Sequence, residues 1–73
     1  MSHAVNAEIV GNVLSVEVAV GDAVTSTQPV VVLESMKMEI PVLAEVAGKV
    51  TEVVVQAGDV VHDGDPLVMI EES

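Results

Sequence analysis

An internal repeat constrains this 73-residue chain more than any other feature of its sequence. Self-similarity at a fixed period is the signature of a duplicated structural unit. At an offset of 37 residues, the matched segments are Ala7–Val13 on Ala44–Val50, Gly21-Asp22 on Gly58-Asp59, and Pro29 on Pro66. Neither copy is long enough to bury a core alone, so the two should pack together about a pseudo-twofold axis. We therefore expect one domain covering residues 1–73.

The repeated unit has the pattern of β-strands. Valine is abundant, and its β-branched side chain disfavours helix and suits a pleated, half-buried surface. Apolar and other residues alternate along 14–20, which predicts a strand buried on one face. The continuous run Val30–Leu33 indicates a strand buried on both faces. No segment shows helical periodicity, so the fold class is all-β, with strands predicted near 4–9, 12–19, 23–25, 29–35, 38–45, 49–56, 60–62 and 66–71.

Charge and composition exclude several classes of function. The formal net charge is −10 with two basic residues, and no Phe, Tyr or Trp is present. Such a chain lacks the cations and stacking side chains that bind nucleic acid, and an anionic membrane would repel it. No Cys, secretory signal or apolar run of about 20 residues occurs. We expect a cytoplasmic monomer without a membrane segment.

The sequence offers no metal site or catalytic centre of its own. His3 and His62 match no metal-ligand spacing, and Asp63-Gly64-Asp65 lacks the calcium-loop pattern, so we interpret it as a turn. No Ser or Thr has an identifiable base partner. We therefore expect a protein that is not an enzyme by itself.

The join between the two copies is the candidate functional site. It contains Met36, Lys37 and Met38, and the pseudo-twofold axis should place it at the opposite end of the molecule from the chain termini. A two-residue link implies a tight hairpin, whose central residues need positive φ and are usually Asn-Gly or Gly-Gly. Met-Lys is a poor choice for a relaxed turn, and that mismatch suggests a functional requirement. Lys49, in the predicted turn Gly48-Lys49-Val50, has no flanking Met, and we interpret it as an ordinary surface residue.

The segment Glu34-Ser35-Met36-Lys37-Met38-Glu39 resembles the attachment site of the biotinyl domains of biotin-dependent carboxylases and decarboxylases. The resemblance covers nearly the whole chain, including the Gly-Asp turns and the duplicated half. It implies a flattened eight-stranded barrel or sandwich with the lysine on an exposed type I′-like hairpin. It also implies that a biotin protein ligase joins biotin to Lys37. The biotin would then carry a carboxyl group between the biotin carboxylase and carboxyltransferase components of a larger carboxylase.

The chain departs from the family pattern at three places. Ser35 replaces the more usual Ala, and the Pro-containing segment near the start is replaced by Ala7–Gly11. No insertion precedes the Gly21-Asp22 turn, so the protruding thumb of some bacterial carriers should be absent. The stand-alone, thumbless type of biotin carboxyl carrier is the variety that the chain resembles.

Two alternatives are a lipoyl carrier and an unmodified structural or interaction module. Lipoyl lysines typically follow Asp and precede Ala, whereas Met36 and Met38 flank Lys37 here. Exposed Met suits a contact surface for partners, which favours the carrier interpretation over the structural module. Glu34 and Glu39 either contribute to recognition by the ligase or are solubilising charges at strand ends, and the sequence leaves both interpretations open. It names neither the carboxylase nor its acceptor substrate.

Overall fold

A computed structural model describes residues 1–73 of the chain. The chain forms eight antiparallel β-strands joined by turns and loops. The strands form two four-stranded sheets, in the orders β1-β8-β6-β3 and β5-β4-β2-β7. No helix long and apolar enough to cross a membrane is present. The strand bounds are β1 Ser2–Asn6, β2 Gly11–Val16, β3 Ala23–Val24, β4 Pro29–Ser35, β5 Met38–Leu43, β6 Gly48–Val53, β7 Val60–Val61 and β8 Pro66–Glu72.

The 37-residue offset confirms the predicted pseudo-twofold relation. It superimposes the bounds of β2 on β6, β3 on β7 and β4 on β8 residue for residue, and it relates β1 to β5. Replacing each strand of one sheet by the strand related to it through this offset gives the strand order of the other sheet. Each sheet therefore contains strands from both copies. We call two residues related by this offset mates. Lys37 therefore lies at the end of the sandwich opposite the chain termini, as the repeat predicts.

Several strands end earlier than predicted, because the backbone stops pairing with the neighbouring strand before the predicted end. The first strand begins at Ser2 and ends at Asn6, since Ala7 instead exchanges backbone hydrogen bonds of 2.8 Å with Asp65 and Gly64. The second strand ends at Val16, and residues 17–22 connect it to β3 without a protruding insertion. The strands predicted over 38–45 and 49–56 end at Leu43 and Val53.

The core consists of 14 buried residues, all apolar, between the two sheets. Most are mates of one another, such as Val13 with Val50 and Leu33 with Ile70. The predicted burial pattern of 14–20 is wrong, because a bulge in the pairing between Val13 and Ser15 leaves Leu14 40% exposed. The run Val30–Leu33 is also not buried on both faces. Val32 is half-buried on the outer face, whereas an irregularity between Pro29 and Val31 lets neighbouring valines both face inward.

The Gly-Asp turns are confirmed, and the repeat uses the same design in each copy. Gly21 and Gly58 both have φ of 98°, a conformation that glycine adopts without steric cost. The Asp after each glycine accepts a hydrogen bond from the backbone N–H three residues earlier, at 2.8 Å for Asp22 and 2.9 Å for Asp59. Asp63-Gly64-Asp65 forms a third turn of this kind, as predicted.

Candidate functional site

The join between the two copies is a two-residue hairpin with an unusual backbone. Ser35 pairs with Met38 as the last rung of the β4–β5 ladder, and Met36 and Lys37 have φ of 54° and 65°. Positive φ at both central residues confirms the tight hairpin that the two-residue link predicts, and it is the type I′ geometry that the family resemblance implies. Each costs roughly 1–2 kcal/mol for a residue with a Cβ atom. Glycine would relieve this strain, so the presence of Met36 and Lys37 here makes the hairpin the candidate functional site.

The Lys37 side chain is exposed and makes no hydrogen bond or ion pair within the chain. Its neighbours Met36 and Met38 are 88% and 58% exposed. Flexible, polarizable thioether side chains adapt to many contact surfaces. The hairpin therefore presents one uncommitted amine between two apolar side chains that a protein partner can cover.

Glu34 and Glu39 lie directly opposite each other, one rung below the hairpin end. Opposite residues of an antiparallel pair have Cβ atoms about 4.5–5.5 Å apart, so like charges at these positions repel. Neither carboxylate has a hydrogen bond or a cationic partner in the chain. The sequence singled out both residues, and the two-residue link places them opposite each other because loop length sets the register of a hairpin. Their role in recognition by a ligase remains a hypothesis.

Lys49 is in a different environment from Lys37. The predicted turn at Gly48-Lys49-Val50 is wrong, because Lys49 lies within β6 and is paired on both sides, with Glu71 of β8 and Ala23 of β3. Its mate is Asn12, and no exposed apolar residue adjoins it in sequence. The structure thus gives Lys49 neither the strained hairpin nor the apolar flanks of Lys37.

The two histidines contact carboxylates and lie apart from the hairpin lysine in the chain. His3 Nε2 is 3.0 Å from Glu45 Oε1, and His62 Nδ1 is 3.8 Å from Asp65 Oδ2. No group of three or more His, Cys, Asp or Glu side chains with metal-binding geometry is found. Each histidine therefore has one local acidic neighbour.

The sequence missed a groove that opens beside β5. Its volume is about 290 Å³, and its apolar lining includes Ile9, Leu33, Ile40 and Val42. Asn6 and Glu8 also line it and have no hydrogen-bond partners for their side chains. The loop between β1 and β2 supplies one wall and β5 supplies the other. The strand periodicity could not reveal the groove, because these segments are distant in sequence and do not pair.

Comparisons with known proteins show the family to which the chain belongs. The family model described as "Biotin-requiring enzyme", of the biotin/lipoyl group, matches residues 3–70. The chain is 58% identical over 43 residues to the "Biotinylated protein TB7.3" of Mycobacterium tuberculosis, a match covering 59% of this chain and 61% of that protein. It is 46% identical over 39 residues to the "Biotin/lipoyl attachment protein" of Bacillus subtilis, covering 53% of each. The matches thus span about half to three-fifths of these relatives.

Solved structures reproduce the whole fold. A single-chain, multi-domain long-chain acyl-CoA carboxylase matches with a TM-score of 0.92 and 33% identity over 99% of this chain and 7% of that one. The urea carboxylase of Kluyveromyces lactis matches with a TM-score of 0.92 and 32% identity, over 97% of this chain and 6% of that one. The lipoyl domain of the Azotobacter vinelandii 2-oxoglutarate dehydrogenase complex matches with a TM-score of 0.75 and 28% identity, over 96% of this chain and 99% of that one. The chain belongs to the biotin/lipoyl family of biotin-requiring enzymes, with biotin as the cofactor and an all-β sandwich as the fold.

Proposed function

We propose that biotin is attached to the Nζ of Lys37 and that the chain acts as a biotin carboxyl carrier. The observation that supports this most strongly is the hairpin itself, with Met36 and Lys37 at φ of 54° and 65° and the lysine amine without any partner. A covalent cofactor needs an amine that a ligase can reach, and this amine is at the tip. The retained strain fits a site whose side chains cannot be replaced by glycine.

Attachment requires one amide bond. The lysine amine attacks the carbonyl of a biotin that a biotin protein ligase has activated, the activating group leaves, and the nitrogen loses a proton. Met36 and Met38 provide apolar area for the ligase to cover, and the β4–β5 ladder fixes the backbone position from which the lysine side chain extends. Misplacement of a reacting atom by about 1 Å can reduce rates considerably, so this positioning contributes to the reaction.

The carrier function follows from the length of the arm. The lysine side chain and the valeryl chain of biotin together contain about ten single bonds of roughly 1.5 Å, so the ring reaches on the order of 12 Å from the backbone. When bound, biotin supplies a ring that accepts and releases a carboxyl group. The exposed Lys37 extends that ring into pockets of biotin carboxylase and carboxyltransferase components that the domain itself cannot enter. The arm gives the ring an effective concentration of millimolar order beside a docked enzyme.

The chemistry occurs in the partner components, so the chain is a carrier and not a catalyst. The carboxylases among its structural neighbours support a carboxylase as the partner in general. We propose that the protein works as a monomeric single domain in the cytoplasm, without nucleic-acid or membrane partners. A lipoyl carrier is the second candidate, because a lipoyl domain shares the fold with a TM-score of 0.75. The Met residues flanking Lys37 favour biotin.

The test is the intact mass of the protein after co-expression with a biotin protein ligase, followed by peptide mapping. We expect one biotin per chain, on Lys37. The Lys37→Arg variant should gain nothing, and the matched Lys49→Arg variant should be fully biotinylated. A mass increase matching lipoate would favour the second candidate. Biotin uptake by Lys37→Arg would refute the assignment of the site.

A further inference from the structure

The groove beside β5 breaks the pseudo-twofold symmetry of the molecule. The groove reaches the pseudo-twofold axis, because two pairs of mates line it, Asn6 with Leu43 and Glu8 with Glu45. It nevertheless opens only toward β5, and no second cavity opens toward β1. There, His3 replaces its mate Ile40 and makes the 3.0 Å contact with Glu45. Val5 is fully buried in that copy, whereas its mate Val42 is only half-buried and lines the groove. Folding alone would be served by two closed sides, so the open side calls for a separate explanation.

The groove lies within reach of the lysine arm. Leu33 and Ile40 form a cross-strand pair three residues from Lys37 along β5, and both line the groove. At about 3.4 Å per residue, the groove begins roughly 10 Å from the hairpin. The arm reaches on the order of 12 Å. Met38 projects on the same face of β5 as Ile40, because side chains alternate along a strand, and it forms an apolar path between hairpin and groove.

The chemistry of the groove suits a small ring that is apolar on its faces and polar at one edge. The apolar lining includes Ile9, Ile40 and Val42, and the side chains of Asn6 and Glu8 at the groove have no partners in the chain. The bicyclic ring of biotin has a ureido edge with two N–H donors and one carbonyl acceptor. A carboxylate accepts from such N–H groups, and an asparagine amide donates to such a carbonyl. A volume of about 290 Å³ suits a ring and is small for a larger ligand.

We propose that this groove is a resting site for the biotin ring, into which the arm of Lys37 folds back when no partner enzyme is engaged. The inference rests on the proposed function, because it requires biotin on Lys37. Tethering gives the ring a local concentration of millimolar order, so a site with only millimolar affinity is occupied about half of the time. Such weak binding shields the ring between encounters and still releases it to a partner pocket.

The experiment compares amide chemical shifts of ¹⁵N-labelled protein before and after biotinylation, once the intact mass has shown biotin on Lys37. We expect shifts at Asn6, Ile9 and Ile40 in addition to those at the hairpin. Shifts confined to residues 34–39 would overturn the resting site and leave the carrier function intact. Failure of Lys37 to accept biotin would instead overturn the proposed function. The two failures are therefore distinguishable.

A matched pair of variants tests the same proposal through accessibility of the ring. Ile9 lines the groove, whereas its half-buried mate Val46 does not. Capture of the ring by avidin depends on the fraction of arms that are extended. We expect avidin to capture biotin from the Ile9→Ser protein about twofold faster than from the unchanged protein, with Val46→Ser matching the unchanged rate. Equal rates for all three proteins, with amide spectra showing that each is folded, would contradict a folded-back arm.

Discussion

Two rows of side chains, one on each sheet, occupy equivalent positions and differ in charge. The row at the lysine end contains Glu39, Glu34, Asn12 and Val60 on adjacent strands. Its mates at the end with the chain termini are Ser2, Glu71, Lys49 and Ala23. One carboxylate is thus retained in each row while its neighbours diverge.

The two retained carboxylates have opposite surroundings. Glu71 accepts hydrogen bonds of 3.1 Å from the N-terminal ammonium and from the Ser2 hydroxyl, and Lys49 lies opposite it. Glu34 faces Glu39 and has no compensating cation. The row at the termini is organised to stabilise the fold, whereas the row beneath Lys37 carries repulsion that a basic partner surface would relieve. The difference supports the proposal that the lysine end makes contact with partner proteins.

Alanine substitutions at two glycines that are mates test how far the copies are structurally equivalent. We expect these substitutions to have the largest effect on the free energy of unfolding. A Cβ atom on Gly48 would overlap the carbonyl oxygen of Glu71 and lie 2.9 Å from Ile70 Cγ2, whereas one on its mate Gly11 would lie 2.6 Å from the Glu34 carbonyl oxygen. Overpacking costs about 1–3 kcal/mol, occasionally more. We expect Gly48→Ala to lower the free energy of unfolding by about 3 kcal/mol, and Gly11→Ala by about 2 kcal/mol. Urea unfolding measures both. A larger loss for Gly11→Ala would contradict the tighter fit at Gly48.

Moving the lysine by one residue tests whether the hairpin geometry distinguishes the lysine end. The double variant Lys37→Met with Met38→Lys preserves composition and charge but moves the amine from the turn to the last rung of the ladder. We expect the initial rate of biotinylation to fall by at least about tenfold, because the ligase requires one amine position. Amide spectra control for folding. Equal rates would show that any nearby lysine suffices.

Reversing one charge tests the repulsion in the row beneath Lys37. Glu39→Lys places a cation opposite Glu34, so we expect the free energy of unfolding to rise by roughly 0.2–1 kcal/mol at low salt. The matched change Ser2→Lys, beside the already compensated Glu71, should have a smaller effect. If the acidic pair contributes to ligase recognition, Glu39→Lys should also raise the KM for biotinylation several-fold. Stability gains of equal size at both positions would remove the distinction between the rows.

The smallest effect that we expect is the change in Tm with pH that depends on the Glu71 carboxylate. Hydrogen bonding to the N-terminal ammonium, and then to Ser2, holds the pKa of Glu71 below its ordinary value of 4.5. A lowered folded-state pKa contributes stability that is present above the unfolded value and is lost as the pH falls through the folded one. We expect Glu71→Gln to lower the Tm slightly at pH 7, with no difference remaining well below pH 4.5.

The control for this measurement is the mate of Glu71. Glu34→Gln removes one partner of a repulsive pair, so its Tm at pH 7 should equal or exceed that of the unchanged protein. A decrease in Tm for Glu34→Gln comparable to that for Glu71→Gln would mean that both carboxylates stabilise the fold, contrary to the comparison.

The sequence predicted the features that depend on local pattern and on the repeat. The eight strands, the Gly-Asp turns and the position of Met36 and Lys37 on a tight hairpin are confirmed, because each follows from spacing along the chain. Strand ends were less accurate, since bulges and turn hydrogen bonds, such as those of Ala7, depend on tertiary neighbours. The opposition of Glu34 to Glu39 follows from the two-residue link, because loop length sets the register of a hairpin. The groove does not follow from spacing, because its walls are segments that do not pair. Spacing alone does not reveal which residues of separate segments meet.

The order of strands in the two sheets has a consequence for how the chain acquires its structure. Only β4 and β5 are both consecutive in sequence and paired, and every other ladder joins strands that are separated along the chain. Their turn is strained, so the one local hairpin is a poor nucleus. Topologies dominated by non-local pairing fold in milliseconds to seconds, because loop-closure entropy is lost before the contacts form. Refolding of this small domain, followed by stopped-flow, should therefore fall in that slow range rather than in microseconds.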